Sequence, residues 1–431
     1  MLRPFRAACS APQPVETYDR RATRGVASRT RRRFGMKSLL CGAAGCAIGL
    51  SGVGARAQPP ELQASAPTVI VDTAEMRNDG MMFPDTPISF LRTGDGRLVA
   101  FAAGGSIKDI GPGVSVVPFG TYMFVGTFDH LSPATSSGNW PTPALVKGRD
   151  QPSPDGRDFD RDYAGGGPTF PVGPSALMQI YHGEYHCTSS IGIPAYGGSG
   201  VAVSHDGGKS FQKLGEILAP GVLRDVFCDS GKHAGFWTDG DMIEADANGN
   251  HTGPGPNYDY ILFVDRNATD EPFIAMSIAR ALKSDVLAAV AAGKAPTFQK
   301  YYNPSHAPGP VGQFFTQPGL GGASTPIIVT PRIFIGEPAI RYDAYANEFV
   351  EIYQENQKNI AVSVATNLFS WSPPIEVVKL DPAGDMKLYN PSPVSKDTYP
   401  PVLGKTFYIY YFERRPQNTE PKLMRVTVDL K

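Results

Sequence analysis

Ser204-His205-Asp206-Gly207-Gly208-Lys209-Ser210-Phe211 is the stretch from which the fold can be read. Gly200-Val201-Ala202-Val203 leads into it, and Leu214 to Leu218 leaves it. Apolar runs on both sides of an Asp-Gly-Gly turn spell a β-hairpin. Asp206 can accept hydrogen bonds from the amides of its own loop. Gly207 and Gly208 can take positive φ, Ser204 can tie the loop ends together, and Phe211 returns the chain to the core side.

Outward from this hairpin, short strands recur in packets. The first holds Ile88 to Leu91, Arg97 to Ala102 and Tyr122 to Phe128; the second holds Ala176 to Tyr181, Gly200 to Val203 and Leu214 to Leu218. The third holds Tyr260 to Asp265 and Phe273 to Ala279, with a helix-like insert from Ala281 to Ala292. The fourth holds Ala339 to Tyr342, Glu348 to Tyr353, Ile360 to Ala365 and Ile375 to Lys379. The last holds Pro393-Val394, Thr406 to Phe412 and Leu423 to Val428. Five packets of this kind predict an all-β chain folded as a five-bladed β-propeller. Val69-Ile70-Val71 is placed to complete the last blade and close the ring. The long stretches from Gly104 to Val117 and Asp150 to Pro171 carry no assignable strand and leave a six-bladed, sialidase-like ring as the alternative.

Two motifs carry a family resemblance. The spacing Ser204-x-Asp206-x-Gly208-x-Ser210-Phe211 resembles the Asp-box of sialidase-like propellers, a hairpin on the outer rim of a blade. Ser363-Val364-Ala365-Thr366-Asn367-Leu368-Phe369-Ser370-Trp371 resembles an element of the five-bladed arabinanase and β-xylosidase-like glycoside hydrolases. The resemblance spans most of the chain after the leader and implies hydrolysis of glycosidic bonds by a pair of carboxyl groups in the central funnel. The segment Thr86 to Phe101 also looks like the opening blade of a sialidase. Asp85-Thr86-Pro87 stands where that family has Arg-Ile-Pro, and a carboxylate clamp of three arginines would be one short.

The chain is close to neutral, with a formal charge of −1, so it has no basic field for nucleic acid. Its 47 glycines and 40 prolines against only 19% charged residues fit a loop-rich, exported β protein. Thr30-Arg31-Arg32-Arg33-Phe34-Gly35-Met36-Lys37 resembles a twin-arginine export signal, followed by an apolar run from Leu39 to Leu50 and a small-residue cleavage site, Ala55-Arg56-Ala57. An ordinary secretory signal starting at Met36 is the alternative. Either way residues 1–57 are a leader and residues 58–431 one propeller domain, a monomer in the periplasm or outside the cell with no membrane attachment after cleavage. Cys187 and Cys228 are the cysteines left beyond the leader and predict one disulfide.

Acids near the start of each packet are the candidates for chemistry. Asp85 precedes the first inner strand, where the resemblance places a catalytic base; an Asx turn before Pro87 is the other reading. In Tyr181-His182-Gly183-Glu184-Tyr185-His186, alternation puts His182, Glu184 and His186 on one side, suiting a general acid with orienting partners. Tyr185 would stack on a sugar. Trp237-Thr238-Asp239-Gly240-Asp241-Met242-Ile243-Glu244 opens the third packet and offers Asp241 as an acid and Trp237 for the substrate. Glu337 opens the fourth, and Arg341 would hold a substrate group or pair with Asp343. Tyr389 and Asn390 complete the funnel wall. No cofactor is called for; Asp246-Ala247-Asn248-Gly249-Asn250 alone resembles a structural calcium loop, without its closing Glu. A lyase using His182 or His186 with Tyr185, and a propeller that only binds carbohydrate, are the competing functions.

Overall fold

The computed structural model describes residues 61–79, 81–92, 97–106, 120–134, 144–148, 151–173, 176–187, 195–222, 224–229, 241–251, 258–264, 275–329, 335–396, 402–415 and 419–431. The described strands form five sheets, the blades of a five-bladed propeller, antiparallel except where Tyr342–Asp343 pairs parallel with Val402–Leu403. Blade 1 runs outward from Met81–Met82 and Ser89–Arg92 through Leu98–Ser106 and Gly120–Thr127 to His130–Pro133. Blade 2 runs from Tyr163–Gly165 and Thr169–Pro171 through Leu177–His186 and Ala195–Ser204 to Gln212–Leu218. Blade 3 starts at Met242–Ala245 and passes through Tyr258–Val264 and Ala275–Leu282 to Gln299–Tyr301. The helix Lys283–Ala291 is inserted between Ala275–Leu282 and Gln299–Tyr301, with Val286 and Val290 buried against the blade, and Phe315–Pro318 pairs beyond Gln299–Tyr301. Blade 4 is Ile335–Asp343, Glu348–Glu355, Asn359–Ala365 and Ile375–Lys379; blade 5 is Lys387–Ser395, Thr406–Arg415 and Thr419–Leu430.

The N-terminal strands Leu62–Ala64 and Thr68–Val71 both pair with Thr419–Leu430, so the first strands of the domain finish its last blade. Buried side chains gather in five clusters, one between each pair of neighbouring blades, including the pair formed by blades 5 and 1. At that closing seam Phe90 packs on Tyr410 with ring centroids 4.9 Å apart. Aromatic and β-branched residues fill these seams because each blade is buried on both faces, which is why the middle strands read as apolar runs.

The hairpin after Ala195–Ser204 forms as its residues dictate. Ser204 Oγ donates to Asp206 Oδ1 at 2.8 Å and accepts from Gly208 N at 2.8 Å, while Ser210 N and Oγ donate to the same carboxylate at 2.9 and 2.6 Å. Phe211 turns inward against Phe101 of blade 1. This hairpin joins the two outer strands of blade 2.

The inner strands share a device. Each of four is interrupted by a proline-containing break: Phe83 to Pro87 in blade 1, Gly166 to Pro168 in blade 2, a bulge at Glu337-Pro338 in blade 4, and one at Asn390-Pro391 in blade 5. A proline cannot donate to the ladder, so the strand leaves its partner there and turns polar groups toward the centre. Residues just after the breaks stitch the ring together. Ile88 N donates to Ser392 Oγ at 2.7 Å, and Thr169 N donates to Ser89 Oγ at 2.9 Å.

Candidate functional site

Asp85 lies inside the break of blade 1, between Met81–Met82 and Ser89–Arg92. Its own N–H donates to Ala103 O at 2.8 Å, and Thr86 Oγ1 accepts from Ala103 N at 3.2 Å, so the break stays anchored to the second strand. From blade 5, Asn390 Nδ2 donates to Pro84 O at 2.9 Å across the closing seam. Asp85 is partly exposed, and its Oδ2 accepts from the hydroxyl of Tyr163 at 3.3 Å.

Tyr163 was not foreseen. It lies in the inner strand of blade 2, within the stretch that offers no alternation to read. Gly166 makes the approach possible: it has φ +68°, and a Cβ there would sit 1.8 Å from Thr86 Oγ1. Only glycine tolerates both the left-handed backbone and that contact. The break of blade 2 can therefore lie against the break of blade 1.

Behind Tyr163, the strand Leu177–His186 brings His182, Glu184 and His186 to one face, as alternation predicts. It is the second strand of blade 2 and not the innermost. His182 Nε2 lies 3.1 Å from Glu184 Oε1, and His186 Nε2 lies 2.8 Å from Glu184 Oε2. Burial pushes the Glu184 carboxyl up, but the hydrogen bonds and charge of the two imidazoles outweigh it and hold the group at about 2. A carboxylate that stays ionised can only accept, so each Nε2 donates. This geometry does not suit the general-acid role expected of Glu184, which needs a carboxyl held protonated. It also commits the Nε2 of each ring to Glu184.

The low value makes a prediction. A depressed carboxylate contributes stability above its unfolded value near 4.5 and loses it as pH falls toward 2. Glu184→Gln is expected to cost about 2–3 kcal/mol at pH 7. Denaturant unfolding of both proteins at pH 7 and at pH 3.5 checks it: the gap between them should narrow at the lower pH, and a gap that widens would refute the assignment.

Tyr185 points to the other face, where the guanidinium groups of Arg161 and Arg224 lie over its ring at 3.9 and 4.3 Å. A sugar would have to displace one of them, so the stacking role does not fit this arrangement. The expected disulfide is present: Cys187 bonds Cys228, with Cα atoms 5.2 Å apart. It ties the end of Leu177–His186 to the helix Arg224–Asp229, which supplies Arg224.

On the opposite side of the ring, Asp241 precedes the inner strand of blade 3. It is buried and accepts from Met242 N at 2.9 Å, Ile340 N at 3.2 Å and Arg341 Nη1. Burial pushes its carboxyl above the ordinary aspartate range, against the pull of Arg341 and the backbone donors. Arg341 thus pairs with Asp241 across the blade seam and not with Asp343. Asp343 caps the turn after its strand, accepting from Tyr345 N and Ala346 N at 2.8 and 2.9 Å. Glu337 sits at the bulge of the same inner strand as Arg341; its side chain lies outside the described residues, as does Trp237. Tyr389 is buried in the seam between blades 5 and 1, with Arg414 over its ring at 4.1 Å.

Other acids off the inner strands are also strongly displaced, Glu351 among them, pushed well up by burial. Burial raises Glu216 to about 8 and Asp259 to about 7. Neither lies on an inner strand, so the shifts record burial and not a place in the funnel. In the Asp246–Asn250 loop, Asp246 Oδ1 accepts from Asn248 N and Asn250 N, both at 2.8 Å, which is how the loop turns. Among the described residues no helix is long and apolar enough to cross a membrane.

No family model and no curated protein matches the chain. Solved structures do. Zg3597, a family 117 glycoside hydrolase from the marine bacterium Zobellia galactanivorans, aligns with a TM-score of 0.52 at 10% identity over 86% of this chain and 91% of its own. The catalytic domain of the Coprinopsis cinerea GH62 α-L-arabinofuranosidase aligns at 0.47 and 10% identity, over 86% and 97%. The Bacillus subtilis arabinanase Arb43A aligns at 0.39 and 11%, over 80% and 95%. The likeness to Zg3597 extends over nearly the whole of both chains and shows a common fold.

Proposed function

We propose that residues 58–431 form an exported glycoside hydrolase that cleaves a polysaccharide or oligosaccharide with a pair of carboxyl groups in the funnel. Asp85 acts as the ionised member and Glu337 as the protonated one. The observation that carries this is the setting of Asp85: a partly exposed carboxylate that accepts from the Tyr163 hydroxyl, in an inner-strand break whose backbone is anchored by Ala103 O and by Asn390 Nδ2 on Pro84 O. Asp241 supports Glu337 from below, since it binds Ile340 N and Arg341 on the strand that carries Glu337. Zg3597 is described as a glycoside hydrolase, and the shared fold makes that reaction class the natural one to test. The disulfide supports folding in an oxidising compartment.

Incubating the purified protein with a panel of glycans and measuring new reducing ends tests the reaction. Release from at least one glycan is expected. Products absorbing as unsaturated uronides would show a lyase instead, and binding without product would show a carbohydrate-binding propeller. Recovery of a chain starting at Gln58 from the periplasm or medium tests export; retention of the leader in the cytoplasm would overturn it.

A further inference from the structure

Tyr163 and His182 stand in a diagonal relation across two paired strands. Tyr163 lies directly opposite Glu184, and Gly165 lies directly opposite His182. The His182 and Tyr163 ring centroids are 5.6 Å apart at 59°. Diagonal neighbours of this size are within reach of each other. His182 is fixed in turn by Glu184, and Glu184 by His186. His186 is fixed through its backbone, since its N–H donates to Asp162 Oδ2 at 2.8 Å. A chain of contacts therefore runs along this strand to the Tyr163 hydroxyl that touches Asp85.

We infer that Tyr163 is a positioning residue for Asp85: its hydroxyl steers the carboxylate toward the funnel, and the His182–Glu184–His186 set holds the Tyr163 ring where it can do so. This rests on the proposed role of Asp85. Among the described residues, the polar groups of the flanking blades named at this corner are Tyr163, His182, Glu184, His186, Asp162 and Arg161 from blade 2 and Asn390 from blade 5. Glu184 is held ionised far below neutral pH, so it can accept from both rings over the working range. At 3.3 Å the phenol–carboxylate contact is longer than a tight O–H···O⁻ bond of about 2.5–2.7 Å. The hydroxyl thus steers Asp85 without locking it, and the contact is free to shorten when substrate fills the funnel.

Tyr163→Phe in the disulfide-bonded protein is the test, because it keeps the ring against His182 and removes only the hydroxyl. The expected result is a fall in kcat of roughly 10- to 100-fold, the range for losing a hydrogen bond to a charged group. KM and the melting temperature should stay near their starting values. The acid limb of the kcat/KM profile should move to higher pH, because a donor to the charged form of Asp85 has been lost. An unchanged kcat and acid limb would overturn the inference, as would a lowered melting temperature with full activity per folded molecule. Asp85→Asn measured alongside separates the two claims. If that variant keeps full activity, the role of Asp85 itself fails; if it is inactive while Tyr163→Phe is fully active, only the role of Tyr163 fails.

Discussion

Asp85→Asn is expected to fold normally and to lose about 10²- to 10⁴-fold in turnover, the span that positioned acid–base groups contribute. The change is isosteric, and the contacts that anchor the break do not use the Asp85 side chain: they run from Asp85 N to Ala103 O and from Asn390 Nδ2 to Pro84 O. An amide at this place can still accept from Tyr163, so the local geometry survives. What disappears is the negative charge. Glu337→Gln is expected to fall within the same range, and substrates with good leaving groups should partly relieve it, since they need less protonation. Turnover numbers on the best glycan from the panel, with melting temperatures as the control for folding, check both. An Asp85→Asn protein with more than a tenth of normal turnover would exclude Asp85 as the carboxylate of the pair.

Much of the architecture is legible in the sequence, and the reason is specific. The middle strands of the blades, such as Glu348–Glu355 and Ala195–Ser204, are buried and bounded by turns, so they stand out as packets. The N-terminal strand Thr68–Val71 could be assigned to the last blade because a closed ring needs it. The inner strand of blade 2 is invisible for a physical reason. Tyr163–Gly165 and Thr169–Pro171 are three residues each and are separated by Gly166-Gly167-Pro168, so neither shows a period. Without that strand, the blade's first legible strand is the one that carries Glu184, which is its second strand. The recurring proline in the breaks at Pro84, Pro168, Pro338 and Pro391 is the signal that could have located it. Pairing is harder to read than placement. Arg341 and Asp343 are neighbours on paper, but Asp343 caps its own turn, and the partner of Arg341 is 100 residues away in another blade.

That long-range pair carries the second large effect. Asp241→Ala is expected to cost about 3–5 kcal/mol, because it leaves the Arg341 guanidinium buried without its counter-charge. The Arg341 side chain is only 7% exposed, so water cannot easily replace the carboxylate. Two backbone donors, Met242 N and Ile340 N, lose their acceptor at the same time. Replacing both residues by apolar ones, Asp241→Leu with Arg341→Met, removes the stranded charge and is expected to recover much of the loss. Denaturant unfolding of the two variants measures this directly. A single variant within about 1 kcal/mol of the parent would show that the pair carries little stability, the level typical of exposed ion pairs. Activity should not follow stability here. The bond from Ile340 N to Asp241 sets the inner strand three residues beyond Glu337, and an apolar pair cannot accept it. The double variant should therefore fold well and still hydrolyse poorly, which separates the structural work of Asp241 from its part in holding the funnel in register.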